Sequence, residues 1–201
     1  MTTHFKRALP ALLCGLALVR PLAAMAADCP DASTAPNGFT IERNNMPTEV
    51  APAGDQLVHT IFRTRNGTTM LETTTFAGLF ELERIDRGRR SVFHPTVNLA
   101  SLLPVKVGKT LTATFDAADA PQAPKTKIVL HVARTDSLFI ESCKYSVFVI
   151  ERSIGLGGGA PVFAETDYYA PDLKLIVAKE YRNPDGSAFM AKFDKIYATK
   201  P

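Results

Sequence analysis

The strongest constraint on the fold is the way short β-branched and aromatic runs alternate with turn residues along most of the chain. From Leu57 onwards these runs are separated by pairs such as Asn66-Gly67. Asn-Gly between two such runs is a strong short-range signal for a β-hairpin. No window of about 11 residues beyond the N-terminal segment shows the apolar period of a helix. The sequence therefore predicts an all-β domain with a single antiparallel sheet, arranged as a sandwich or as an open, barrel-like concave sheet.

The N-terminal segment has the pattern of a secretory signal peptide. Lys6-Arg7 precedes an apolar stretch at 8–19, and Ala24-Met25-Ala26 supplies the small residues that signal peptidases accept. The apolar stretch is too short for a bilayer span, which needs about 20 apolar residues. We therefore expect cleavage between Ala26 and Ala27. The product would be a periplasmic or secreted protein with no transmembrane anchor in the mature chain.

This cleavage divides the chain into three parts. Residues 1–26 are the predicted signal peptide, and residues 57–201 are the predicted β-rich domain. Between them, residues 27–56 are rich in Pro, Ala, Asn and Thr. We expect this middle part to be a loosely structured lead-in with one short strand at 39–43.

The charge balance argues against a nucleic-acid partner. The whole chain has 23 basic and 20 acidic residues, and three of the basic ones lie in the predicted signal peptide. The mature chain therefore carries equal numbers of positive and negative side chains. Nucleic-acid binding needs a clustered excess of Lys and Arg. We expect no nucleic acid among its partners.

The cysteines predict one disulfide bond. Cys14 leaves with the signal peptide, so Cys29 and Cys143 remain. Two cysteines in an oxidising compartment most simply pair with each other. Two unpaired thiols are the alternative at this point. The C-x-x-C spacing of redox-active pairs is absent.

No local motif predicts a catalytic, cofactor or metal site. His59, His94 and His131 do not form the close pairs typical of metal sites. The glycine run at 155–159 is followed by Ala-Pro rather than by the Lys and Ser or Thr of a phosphate loop. Glu81 and Glu83 lie two apart on one predicted strand, where we expect a solvated face. The sequence thus predicts no catalytic residue, no cofactor and no metal, and it leaves enzymatic activity open.

Aromatic side chains could line a pocket for an apolar guest. Concave sheets and the mouths of β-barrels often bind small apolar molecules. The same side chains could instead fill a closed core. The candidate pocket residues are Phe62, Phe115, Phe148, Tyr169, Phe189 and Phe193.

The order of elements resembles a family of uncharacterised exported β-rich proteins of proteobacteria. The resemblance spans residues 57–182 and includes Pro104 and Gly108-Lys109 in LLPVKVGKTLTATF, and Tyr168-Tyr169 with Pro171 in DYYAPDLKLIVAKEY. It implies a β-rich periplasmic protein, related in shape to lipoprotein carriers with a concave sheet. It implies no reaction.

Three functions remain possible from the sequence. The first is a non-enzymatic protein of the cell envelope that binds an apolar small molecule, a lipid or an envelope protein. The second is an envelope hydrolase whose site combines a histidine with residues from distant strands. The third is a structural or assembly protein that pairs an exposed strand edge near the C-terminus with another chain. The oligomeric state is not predicted.

Overall fold

The computed structural model describes residues 29–64, 66–120, 122–183 and 185–198. The predicted signal peptide and its cleavage site between Ala26 and Ala27 lie outside this part of the chain. Two short 3-10 helices occur at Ala35–Asn37 and Leu99–Leu102. The strands are β1 (Phe39–Arg43), β2 (Met46–Gly54), β3 (Leu57–Arg63), β4 (Thr69–Phe76), β5 (Phe80–Asp86), β6 (Arg89–Pro95), β7 (Thr110–Ala117), β8 (Thr126–Ile140), β9 (Cys143–Leu156), β10 (Pro161–Ala170), β11 (Leu175–Arg182), β12 (Ala188–Lys192) and β13 (Lys195–Ala198).

All thirteen described strands belong to one antiparallel sheet, which confirms the predicted fold class. Successive strands from β1 to β12 pair with one another, as expected when tight turns join them. The last strand, β13, instead pairs with β1, so that β12 and β13 form the two edges. Within the described residues, no helix is long and apolar enough to cross a bilayer.

The segment predicted to be a loosely structured lead-in forms two strands of the sheet. A strand does cover 39–43, and β2 follows it immediately and pairs with both β1 and β3. Phe39, Ile41 and Val50 are almost completely buried in the core. The structure therefore differs from the prediction here. This segment is rich in Pro and Ala but also contains a few large apolar side chains that alternate toward the core. Its overall composition did not indicate that they form strands.

The sheet folds back on itself around two apolar clusters. One cluster joins strands that lie far apart in the sheet order, because Phe39 and Ile41 of β1 share it with Tyr145 of β9 and Val177 of β11. The second cluster fills the space beneath the middle strands, with Phe80 of β5 among its members. Strands this far apart in a flat sheet could not share one cluster. The sheet is therefore folded over, and its inner surfaces enclose the apolar core.

Hydrogen bonds between distant strands hold the fold-back in place. The buried Tyr169 hydroxyl on β10 donates to the Ala77 carbonyl at 2.8 Å. Burial raises the pKa of that phenol, which keeps it protonated as a donor. Next to it, the Arg152 guanidinium on β9 donates to the Leu79 carbonyl at 3.1 Å. These two hydrogen bonds attach the β4–β5 turn to strands β9 and β10.

Gly78 allows this close approach, and replacing it should be costly. Its φ is +68°, and an added Cβ would lie 1.8 Å from the Lys174 carbonyl oxygen on the β10–β11 turn. Gly88 is a matched control, because its φ is +82° and an added Cβ would meet nothing within 4 Å. Both glycines also follow a residue of positive φ. Gly78→Ala should destabilise the protein by about 1 to 3 kcal/mol more than Gly88→Ala does.

Chemical denaturation of the two glycine variants measures this difference. The Gly88→Ala variant carries only the backbone penalty of a left-handed conformation, so it isolates the contribution of the close contact at Gly78. Equal losses of stability in the two variants would show that the β4–β5 turn moves aside without cost.

Candidate functional site

An apolar concavity near the N-terminal strands lies where the two parts of the folded sheet meet. We call it the seam cavity, and its volume is about 350 Å³. This volume is within the range of about 300 to 1,000 Å³ that is usual for ligand pockets. The residues that line it are Ala32, Ala35, Pro36, Phe39, Val50, Ala51, Pro52, Gly54, Leu57, Val58, Pro171, Asp172, Leu173 and Lys174. Its wall is therefore almost wholly apolar, with charges only at the β10–β11 turn.

Lys174 lies between the seam cavity and a second concavity. The second one has a volume of about 470 Å³ and contains Leu103, Val105, Phe148 and Tyr169 in its lining. Lys174 is half-buried, and no carboxylate lies within 4 Å of its amine among the described residues. A single ammonium group thus stands at the border of two largely apolar surfaces.

The structure does not bring the six predicted pocket aromatics together at one cavity. Phe148 and Tyr169 line the second concavity, whereas Phe115 is buried and lines a third cavity described below. The other three are spread over the sheet: Phe62 is half-buried on β3, Phe193 packs against the first apolar cluster, and Phe189 is exposed on β12.

The third cavity is lined by charged residues as well as apolar ones. We call it the ionic cavity; its volume is about 300 Å³ and it lies between β4–β6 and β7–β11. Its lining consists of Thr75, Gly78, Leu79, Glu81, Phe93, Phe115, Thr126, Ile128, Arg152, Ile154, Glu165, Ile176 and Lys179. Buried charges of this kind are rare unless they are paired.

Four charged side chains on adjacent strands pair with one another at the ionic cavity, and three of them belong to its lining. Arg152 donates to Asp167 at 2.5 Å and lies 3.5 Å from Glu165. Lys179 donates to Glu165 and lies 3.4 Å from Asp167. The side chains of Arg152, Glu165 and Asp167 are only 7, 3 and 0% exposed. We refer to these four residues as the charged quartet, whose formal charges cancel.

The quartet is nearly but not completely satisfied. Asp167 Oδ1 is fully buried and accepts no hydrogen bond, although the Lys179 amine is near it. A carboxylate oxygen without a donor is costly in a low-dielectric interior. Asp167 is not among the residues that line the ionic cavity, so this oxygen lies behind the cavity wall.

Glu81 lies on the wall of the ionic cavity, on β5. Burial raises the pKa of its carboxyl, and the nearby Arg84 at 3.5 Å opposes that increase. The sequence predicted that Glu81 and Glu83 share a solvated face. A register shift between β4 and β5 lies between them, with Glu81 opposite Thr75 and Glu83 opposite Thr74. They therefore face different cavities, and Glu83 lies instead beside His59.

The histidines have separate environments. His59 Nε2 is 3.6 Å from a Glu72 carboxylate oxygen, and the His131 ring is hydrogen-bonded to the Thr110 hydroxyl at 3.1 Å. His94 lies opposite Asp116 in the β6–β7 pairing. In the part of the chain that the structure describes, no group of three or more His, Cys, Asp or Glu side chains could hold a metal ion. The hydrolase alternative stays a prediction.

Cys29 and Cys143 form a disulfide, as the cysteine count predicted. The bond joins the start of the described chain to the first residue of β9, across 114 positions of sequence. Cys29 is exposed while Cys143 is buried beside Ile196 of β13. The N-terminal segment is thereby attached to the longest hairpin of the sheet.

No local sequence motif indicated the charged quartet. Arg152, Glu165, Asp167 and Lys179 lie on three different strands, and no sequence spacing relates them. The available signal was the placement of single charges within strongly apolar strands, such as Arg152 after Val147–Ile150. A buried strand tolerates such a charge only when another strand supplies its partner.

Comparison with known proteins found a solved structure of low sequence identity to this chain. No protein-family model matches the chain, and no curated protein matches it. The crystal structure of the hypothetical lipoprotein YmcC from Escherichia coli (K12) aligns with 72% of this chain and 78% of that chain. The identity is 10% and the TM-score is 0.46. The predicted resemblance to exported proteins of proteobacteria stays a prediction, while the β-rich fold that it implies is present.

Proposed function

We propose that this chain is a non-enzymatic binding protein of the cell envelope whose seam cavity takes the hydrocarbon part of an anionic lipid, such as a fatty acid. The observation that carries the proposal is an apolar cavity of about 350 Å³ with an ammonium group at its border. An alkyl chain in such a cavity removes apolar surface from water, at about 25 cal/mol per Å².

Lys174 supports an anionic rather than a neutral head group. Its amine has no carboxylate partner within 4 Å among the described residues, so a ligand carboxylate or phosphate would not displace an existing ion pair. Asp172 is exposed on the same turn, where its charge is screened by solvent. A location in the envelope is supported by the signal-peptide pattern and by the disulfide, which forms and persists in oxidising compartments.

Filling the seam cavity should abolish binding of an alkyl chain. Ala51 lines the cavity and is exposed, so Ala51→Trp adds volume there without opening the core. We expect the variant to bind a dansyl-labelled fatty acid about tenfold or more weakly than the natural sequence, a loss of about 1.4 kcal/mol. Fluorescence titration of the exported, purified protein measures the affinity.

The matched control is Ala164→Trp. Ala164 is also an exposed strand alanine, on β10 and on the face opposite Glu165. This variant should bind the probe as the natural sequence does. Lys174→Gln should weaken binding of the fatty acid about two- to fivefold, consistent with a half-exposed ion pair, and should leave a fatty alcohol unaffected. Unchanged affinity in Ala51→Trp, or no binding of the probe to any form, would refute the proposal.

A further inference from the structure

Three aromatic rings form a row on the outer part of the sheet, away from the seam cavity. Phe163 of β10, Tyr181 of β11 and Phe189 of β12 lie side by side, and we call them the aromatic strip. Ring centroids are 6.4 Å apart for Phe163 and Tyr181 and 6.2 Å apart for Tyr181 and Phe189. The last two rings are stacked, with their planes 18° apart. Phe163 and Phe189 are 42 and 53% exposed, which is unusual for large apolar side chains in a row.

The aromatic strip continues the sheet face that forms the ionic cavity. Phe163 is the cross-strand partner of Ile154, which lines the cavity, and cross-strand partners share a face. Tyr181 lies two residues beyond Lys179 on β11, with regular pairing to β12 through this stretch. Residues two apart on a strand point to the same side. A ligand in the ionic cavity can therefore extend over the strip without crossing the sheet.

The ionic cavity and the aromatic strip present different chemical groups from those expected at a site for a lipid or an anion. The cavity presents carboxylate oxygens of Glu81 and Glu165 and the donors of Arg152 and Lys179. The charged quartet is neutral overall and Glu81 pairs with Arg84 at 3.5 Å, so the cavity offers hydrogen bonds in both directions without a net charge to be balanced by the ligand. A ligand with several hydroxyl groups and no net charge suits this set.

We propose that the ionic cavity and the aromatic strip together bind a neutral carbohydrate. A sugar ring has hydroxyl groups at its edge and a face of C–H bonds, so one residue of an oligosaccharide can donate and accept in the cavity while the next stacks on the strip. Flat exposed rings supply such a platform at little conformational cost, since an aromatic side chain has only two rotatable bonds. This site is separate from the seam cavity and does not depend on lipid binding there.

Titration of the exported protein with neutral malto-, cello- and chito-oligosaccharides tests this proposal. Calorimetry gives the affinity, and saturation-transfer NMR shows whether sugar C–H protons lie against the protein. We expect at least one series to bind, and Phe189→Ser to weaken that binding about two- to tenfold. Glu81→Gln should also weaken it, since it removes a carboxylate from the cavity wall without breaking the pairs of Arg152.

Phe139→Ser is the matched control. Phe139 is an equally exposed phenylalanine, at 57%, but it lies at the far end of the β8–β9 hairpin and contacts Lys144 instead of the strip. It should leave carbohydrate affinity unchanged, and so should Ala51→Trp in the seam cavity. The proposal is overturned if no oligosaccharide binds, if Phe189→Ser binds as the natural sequence does, or if Phe139→Ser weakens binding equally. A dimer that Phe189→Ser converts to a monomer, without sugar binding, would assign the strip to self-association.

Discussion

Replacing Cys29 and Cys143 by serine should lower the free energy of unfolding by about 4 to 5 kcal/mol. The disulfide closes a loop across 114 positions, and in the chain-entropy account a cross-link over so long a loop removes much of the freedom of the unfolded chain. For a chain of this size the loss corresponds to a fall of roughly 10 to 15 °C in Tm. Differential scanning calorimetry of the purified, oxidised protein measures it.

Reduction of the natural protein supplies the control for this disulfide prediction. Its Tm in excess dithiothreitol should fall to that of the double-serine variant, whose own Tm should not respond to the reductant. A loss below about 1 kcal/mol would mean that the unfolded chain stays compact near Cys29 and Cys143 even without the bond.

Asp167→Ala should cost about 3 kcal/mol, at the lower end of the range for breaking a buried ion pair. The variant leaves the Arg152 guanidinium in the interior without its 2.5 Å partner. Glu165 at 3.5 Å and the Leu79 carbonyl at 3.1 Å still contact that guanidinium, which limits the loss. Urea denaturation measures the change.

Two further variants separate the buried pair from ordinary surface charge. Arg134 and Asp136 also pair at 2.8 Å, but both are half-exposed, so Asp136→Ala should change stability by less than about 1 kcal/mol. The double change Arg152→Met with Asp167→Leu leaves no unpaired charge from this pair, so it should cost less than the two single changes together. A loss in Asp167→Ala no larger than in Asp136→Ala would show that the charged quartet does not stabilise the fold.

The charged quartet also illustrates why the candidate sites were only partly predictable. Apolar and aromatic residues identify a strand and its buried face, and they indicated Phe115 and Tyr169 as residues facing inward. They do not say which inward faces will meet. Phe189, from the same predicted pocket, lies exposed beside Tyr181 on the edge strand β12.

Local pattern was sufficient for most of the strands from β3 onwards and for most of their hairpins, whereas it missed β2. Side chains alternate with a period of two along a strand, and Asn66-Gly67 favours the turn between β3 and β4, so these features depend on residues close together in the chain. The Cys29–Cys143 bond was predictable for another reason, since the predicted cleavage takes away Cys14 and leaves one pairing.

Only the tertiary structure shows how the sheet folds back on itself and where the resulting cavities lie. Twist and bulges accumulate over thirteen strands and decide which distant residues meet. One register shift beside Glu81 separates it from Glu83 and turns it toward the charged quartet. Contacts such as Arg152 with Leu79 join residues 73 positions apart, and their partners are selected by the geometry of the whole sheet because no local spacing encodes them.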